Sequence, residues 1–241
     1  MKCSICKQEG HNKRSCKKMT TPVSAPKIEA ETDVKVEPSV KSWYMIPEIN
    51  KETYLSLIKA LYDILEGKKV SNSEPDSFAQ QSLMHFHGMT KEEWEHGHKK
   101  IQIERALTMA WGYFHQNLMG AFPGWRNYKK GHPTGCDIAK EDDTCVGEVK
   151  NNTNTMNSNS KESVIRKLKK QKDLGKRALL VVINGDINHS IKDGIETISG
   201  RKFYEELSGR PTFMDDLLST TNETFNQFKT FEALKTALGI A

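Results

Sequence analysis

Between His132 and Lys150 the chain reads HPTGCDIAKEDDTCVGEVK, followed directly by the polar run NNTNTMNSNS. Two short β segments, residues 135–140 and 144–150, flank an acidic turn at 141–143. Side chains alternate along a strand, so Glu148 and Lys150 emerge on one face, and a hairpin brings Asp137 beside them. The spacing is D-x10-E-x-K. Two carboxylates with an amine nearby suit a hard, oxygen-seeking divalent cation. Such a cation polarises a phosphate and generates hydroxide from bound water. Lys150 would position that water or hold the phosphate. The plainer reading of the same residues is a surface hairpin with an ordinary Glu–Lys pair.

The D…ExK spacing between strands resembles the PD-(D/E)xK nuclease superfamily, with Cys136 in place of the proline before Asp137. The wider string, HPTGCDI followed by EVKNNTNTMNSNS, resembles type II restriction endonucleases of the MjaII-like family, which cut GGNCC-type sites. The resemblance runs from about Trp43 to the C-terminus and includes SGRKFYEELSG near residue 200. It implies an α/β fold with a restriction-endonuclease-like αβββαβ core, a mixed central sheet flanked by helices. It also implies Mg²⁺ bound by Asp137 and Glu148, and an extra carboxylate from the first core helix. Glu104 is the candidate for that carboxylate, beside the apolar stripe of a long helix. An exposed acid paired with Lys100 is the alternative.

The first eighteen residues hold Cys3-x2-Cys6-x4-His11-x4-Cys16. Three thiolates and an imidazole suit tetrahedral Zn²⁺, and every spacing is similar to the retroviral-type CCHC zinc knuckle. So short a segment buries no core, so metal binding would supply its folding energy. It carries six Lys/Arg against one Glu, and no aromatic residue. The missing stacking platform weakens the case for reading of bases, and electrostatic tethering to nucleic acid or binding of a protein partner fits about as well. Residues 19–42, rich in Pro, Thr, Val, Lys and Glu, read as a disordered linker. The third region, 43–241, is the expected endonuclease domain.

Charge distribution says more than the formal net of +5. Residues 1–18 account for it, leaving 30 basic and 30 acidic residues beyond. Within that balance, residues 161–177 carry eight basic and two acidic side chains. Two basic stretches are the footprint of a polyanion partner. No apolar run approaches a membrane span, and the first residues lack a signal-peptide core, which reads as a soluble intracellular protein without a membrane partner. Five scattered cysteines do not form a disulfide framework.

Local signals order the remainder. Helical periodicity covers 50–66, with a further helix at 75–86 capped by Ser73; both read as packing elements. Thr90 and Glu93 form a capping-box signature ahead of a helix at 91–118. His85, His87, His96 and His98 have spacings that do not pair on one helix face and read as surface or loop residues. Residues 122–128 begin the sheet, with Trp125 in its core. Asn152, Asn154, Thr155, Asn157 and Ser158 follow the catalytic strand and are candidates to contact DNA; a flexible loop is the alternative. Asn159 with Glu162 resembles a second capping box, opening a helix at 161–174 with Val164, Ile165 and Leu168 inward and lysines outward. ALLVVI at 178–183 reads as a buried strand. Helical patterns at 203–207, 214–218 and 225–238 close the chain. Repeats, a phosphate-cradling glycine loop and a nucleophile elbow are absent from the sequence.

The expected function is therefore Mg²⁺-dependent hydrolysis of double-stranded DNA by a homodimer acting on a palindromic site. The class implies a cognate DNA methyltransferase as partner. A nucleic-acid-binding protein with an inactive nuclease fold, or a nonspecific or repair nuclease, is the alternative.

Overall fold

The buried run of β4 (Arg177–Asn184) anchors the architecture. Its odd-numbered side chains, Leu179, Val181 and Ile183, enter one apolar cluster, and its even-numbered ones, Ala178, Leu180 and Val182, enter another. A strand buried on both faces needs layers above and below. The larger cluster is covered by α1 (Lys51–Leu65), α3 (Lys91–Gly120), α5 (Gly200–Ser208), α6 (Phe213–Gln227) and α7 (Phe231–Ala237). The smaller is covered by α4 (Ser158–Asp173), through Val164 and Leu168. In this computed structural model the residues described are 43–70, 74–128, 131–152, 158–185 and 188–240. Cys3, Cys6, His11 and Cys16, the linker, and Asn154, Thr155 and Asn157 lie outside them.

The sheet has six strands in the order β1-β2-β3-β4-β6-β5. β1 (Trp125–Asn127), β2 (Ile138–Lys140) and β3 (Cys145–Asn152) form an antiparallel meander. β4 joins β3 in parallel after the α4 crossover, and β6 (Ile195–Ser199) joins β4 in parallel. β5 (Ser190–Lys192) closes the edge as an antiparallel hairpin with β6. The expected order of helix, three strands, helix and strand is α3-β1-β2-β3-α4-β4.

Several local expectations are corrected. α2 (Ser77–His87) is capped by Asp76, whose carboxylate accepts from Phe78 and Ala79 N–H; it buries no residue, so it is not a packing element. β3 runs on to Asn152, and α4 opens at Ser158, so Asn159 lies inside the helix rather than capping it. Phe225 belongs to α6; the chain breaks at 228–230, and Thr230 caps α7 by accepting from Ala233 N–H. The capping box of Thr90 and Glu93 is present in full. Trp125 is core, edge-on to Phe203. Among the described residues no helix is long and apolar enough to cross a membrane.

Candidate active site

Asp137 stands at the entrance to β2. Its N–H donates to Gly147 O at 2.9 Å, and its carbonyl accepts from Tyr128 N–H at 2.8 Å, so the sheet fixes its backbone on both sides. Its carboxylate Oδ2 accepts from Val149 N–H at 2.8 Å. Asp137 is thereby held against β3 at Val149, the residue between Glu148 and Lys150. Gly147 permits this closeness, because a Cβ there would sit 2.9 Å from Ile138 Cγ1.

Glu148 and Lys150 share a face of β3, as their spacing requires. Lys150 Nζ donates to Glu148 Oε1 at 2.8 Å. The Glu148 side chain is 4% exposed. A carboxylate so deeply buried needs hydrogen-bonding partners, and the second comes from an unexpected place. Lys167 of α4 donates to both Glu148 oxygens at 3.3 Å and to Gly135 O at 2.8 Å. The reading of α4 lysines as outward therefore fails at Lys167. The signal was present: position 167 lies three residues after Val164 and four before Gln171, both buried, on the inward stripe.

Burial, and then the charge of Glu148, push the Asp137 carboxyl up to about 6; Val149 N–H, Lys150 and Lys167 oppose the rise. Two carboxylates that crowd each other in this way fit a divalent cation. Mg²⁺ needs only one or two protein carboxylates where water and phosphate oxygens complete its shell. Among the described residues no group of three or more His, Cys, Asp or Glu gathers into a fuller ligand set. His85 and His87 are exposed, and His98 stacks on Trp94 at 4.6 Å.

Asp137 and Lys150 line a cleft of about 570 Å³. Its other wall is α3, through Met109, Gly112, Tyr113, Gln116 and Asn117. Tyr128 and His132, stacked at 3.7 Å between ring centroids, line its rim; neither was singled out from the sequence. Glu104 is exposed and is not among the cleft residues. It shares helical spacing with Thr108, Trp111 and His115, which line a different cavity, and among the described residues it forms no ion pair with Lys100. That second cavity, about 310 Å³, is also lined by Asn151, Asn152, Asn184 and Asn222. Asn152 thus sits at the end of β3 but beside the second cavity, not the cleft. Ser158 is the first residue of α4.

A sequence model of the Eco47II restriction endonucleases matches residues 46–228, which include the sheet, both site carboxylates and both site lysines. This chain belongs to the Eco47II restriction endonuclease family. Among curated proteins it is similar to the type II restriction enzyme Sau96I of Staphylococcus aureus, 29% identical over 127 residues. The match covers 50% of this chain and 48% of that enzyme, so the chain spans about half the length of this relative. Membership of the Eco47II family agrees with the restriction-endonuclease resemblance at its coarser level, and the mixed sheet between helices agrees with the expected fold class.

Proposed function

We propose that this Eco47II-family member is a type II restriction endonuclease that hydrolyses phosphodiester bonds of double-stranded DNA with Mg²⁺. The observation that carries the reading is the hold of the Asp137 carboxylate on Val149 N–H, between the paired Glu148 and Lys150 of β3, with Asp137 and Lys150 lining an open cleft. Asp137 and Glu148 would hold the cation. When bound, it would polarise the scissile phosphate and lower the pKa of a water molecule. Lys150, at the cleft wall, orients the attacking water and offsets the charge that develops on the phosphate. A third carboxylate from Glu104 belongs to the same proposal and requires the exposed face at the middle of α3 to meet the substrate.

The substrate is a short palindrome of GGNCC type, a reading supported by the MjaII-like likeness of the segments around Asp137 and Lys150. A two-fold site favours a symmetric homodimer. Asn152, Asn154, Thr155, Asn157 and Ser158 would contact the duplex, and a methyltransferase acting on the same site would protect the host. Cys3, Cys6, His11 and Cys16 would hold Zn²⁺ in a basic module that adds general affinity. The protein would act inside the cell.

Incubating plasmid with protein and Mg²⁺ tests this. Discrete fragments support the assignment; a smear indicates a nonspecific nuclease, and an intact plasmid with a retained gel shift indicates a binding protein. Asp137→Ala and Lys150→Ala are each expected to slow cleavage roughly a thousandfold or more while folding and DNA binding persist. Undiminished cleavage by either variant would overturn the assignment of the site.

A further inference from the structure

We propose that Lys167 is an electrostatic interlock on Glu148, which keeps the metal-free site neutral so that divalent cation and DNA phosphate bind cooperatively. The proposal rests on the reading of Asp137 and Glu148 as the metal site.

Lys167 is built into the site. Its amine reaches the Gly135 carbonyl at 2.8 Å and both oxygens of the buried Glu148 at 3.3 Å. Its stem crosses Gly135 so closely that a Cβ at that position would lie 2.6 Å from Lys167 Cδ. Gly135 also has φ +68°, which favours glycine independently. The stem is thus seated over a residue with no side chain, and the head is fixed at three acceptor atoms on two residues.

The charges then balance. Asp137 and Glu148 supply two negative charges, and Lys150 and Lys167 supply two positive ones. With Lys150 alone the site would carry a net negative charge and attract a divalent cation unaided. A unit charge a few ångströms from a divalent ion changes its affinity by an order of magnitude or more. Lys167 removes that attraction until a phosphodiester restores the missing negative charge. Binding of either partner must then strengthen binding of the other by the same factor. A cation-loaded site without substrate becomes rare.

Mn²⁺ titration followed by electron paramagnetic resonance, on the full chain without DNA, tests the idea. Lys167→Met keeps an apolar stem over Gly135 and removes the charge; Lys167→Arg keeps the charge. Lys167→Met is expected to bind Mn²⁺ on the order of tenfold more tightly than wild type, and Lys167→Arg equally with wild type. No tightening in Lys167→Met, or equal tightening in Lys167→Arg, overturns the proposal. A second measurement needs only the wild type: a duplex containing GGACC is expected to tighten Mn²⁺ binding about tenfold after subtraction of Mn²⁺ held by the duplex alone. An unchanged affinity overturns the proposal. A protein with both expected responses that cuts no plasmid retains the interlock and loses the nuclease assignment, so the two readings fail separately.

Discussion

The charge of Asp137 is expected to work against folding when no cation is bound. Its carboxyl is pushed up to about 6 from the ordinary 3.8 by burial and by Glu148. Between those values the folded protein binds the proton more readily than the unfolded chain. Stability therefore falls as pH rises through about 4 to 6, and the deficit is complete above 6. Asp137→Asn keeps an acceptor for Val149 N–H without the charge. It is expected to abolish cleavage yet raise stability by on the order of 1–2 kcal/mol at pH 7.5 in EDTA. Thermal melts should show that gain vanish near pH 4. His115 acts with the opposite sign. Burial pushes its imidazole down to about 4, and its Nδ1 pairs with Tyr204 Oη at 2.8 Å. Its contribution is full above about 6.5 and is lost as pH falls toward 4. His115→Gln is expected to flatten that loss, worth on the order of 2–3 kcal/mol. Because the two groups oppose each other between pH 4 and 6, each effect is read as variant minus wild type by urea denaturation. At this scale the pairing of Glu148 with Lys150 was legible in strand alternation, and the approach of Asp137 to β3 in the expected hairpin. Lys167 was missed because a lysine-rich helix invites an all-outward reading, although its place three residues after the apolar Val164 set it beside the inward stripe.

Each element's legibility followed its burial. β4 announced itself as ALLVVI because both faces are covered, and α3 through its capping box and apolar stripe. The β5–β6 hairpin went unread: β5 is three exposed residues and offers no apolar pattern. Its signal was the Asp193–Gly194 pair, whose φ values of 55° and 73° suit the tight turns of two-residue hairpins. The break between α6 and α7 was hidden because Phe225, Phe231 and Leu234 all join one core, so apolar spacing runs through it. The joint between α3 and β1 is tighter than any pattern indicates. A Cβ on Gly120 would meet Asn127 N at 2.4 Å and Asn127 Cβ at 2.7 Å. Backbone cannot yield as a flexible side chain does. Gly120→Ala is therefore expected to cost about 1–3 kcal/mol in denaturant unfolding, whereas Gly112→Ala, with open space around it, should be nearly silent or stabilising.

For the molecule as a whole, the cleft and the asparagine-lined cavity flank one helix. Thr108 O, on α3, accepts from Asn151 at 3.3 Å, and Asn151 in turn accepts from Asn184 at 2.8 Å. The ends of two parallel strands are thus tied to α3 between the two concavities. That arrangement depends on tertiary packing, which local periodicity does not encode. The N-terminal cysteine–histidine pattern belongs to a different layer of organisation. Deleting residues 1–41 is expected to lower general DNA affinity and reduce its salt dependence while leaving the sequence preference intact. Fragment-end sequencing checks the preference, and a changed preference would assign base reading to that module.

The seat of Lys167 across Gly135 has a hereditary consequence. Positions 135 and 167 are no longer free to vary alone: a lineage that acquires a side chain at 135 must shorten the residue at 167 or expel its amine from the site. Related chains should therefore exchange these two residues jointly, and those that have done so should be the ones that load magnesium before meeting their target.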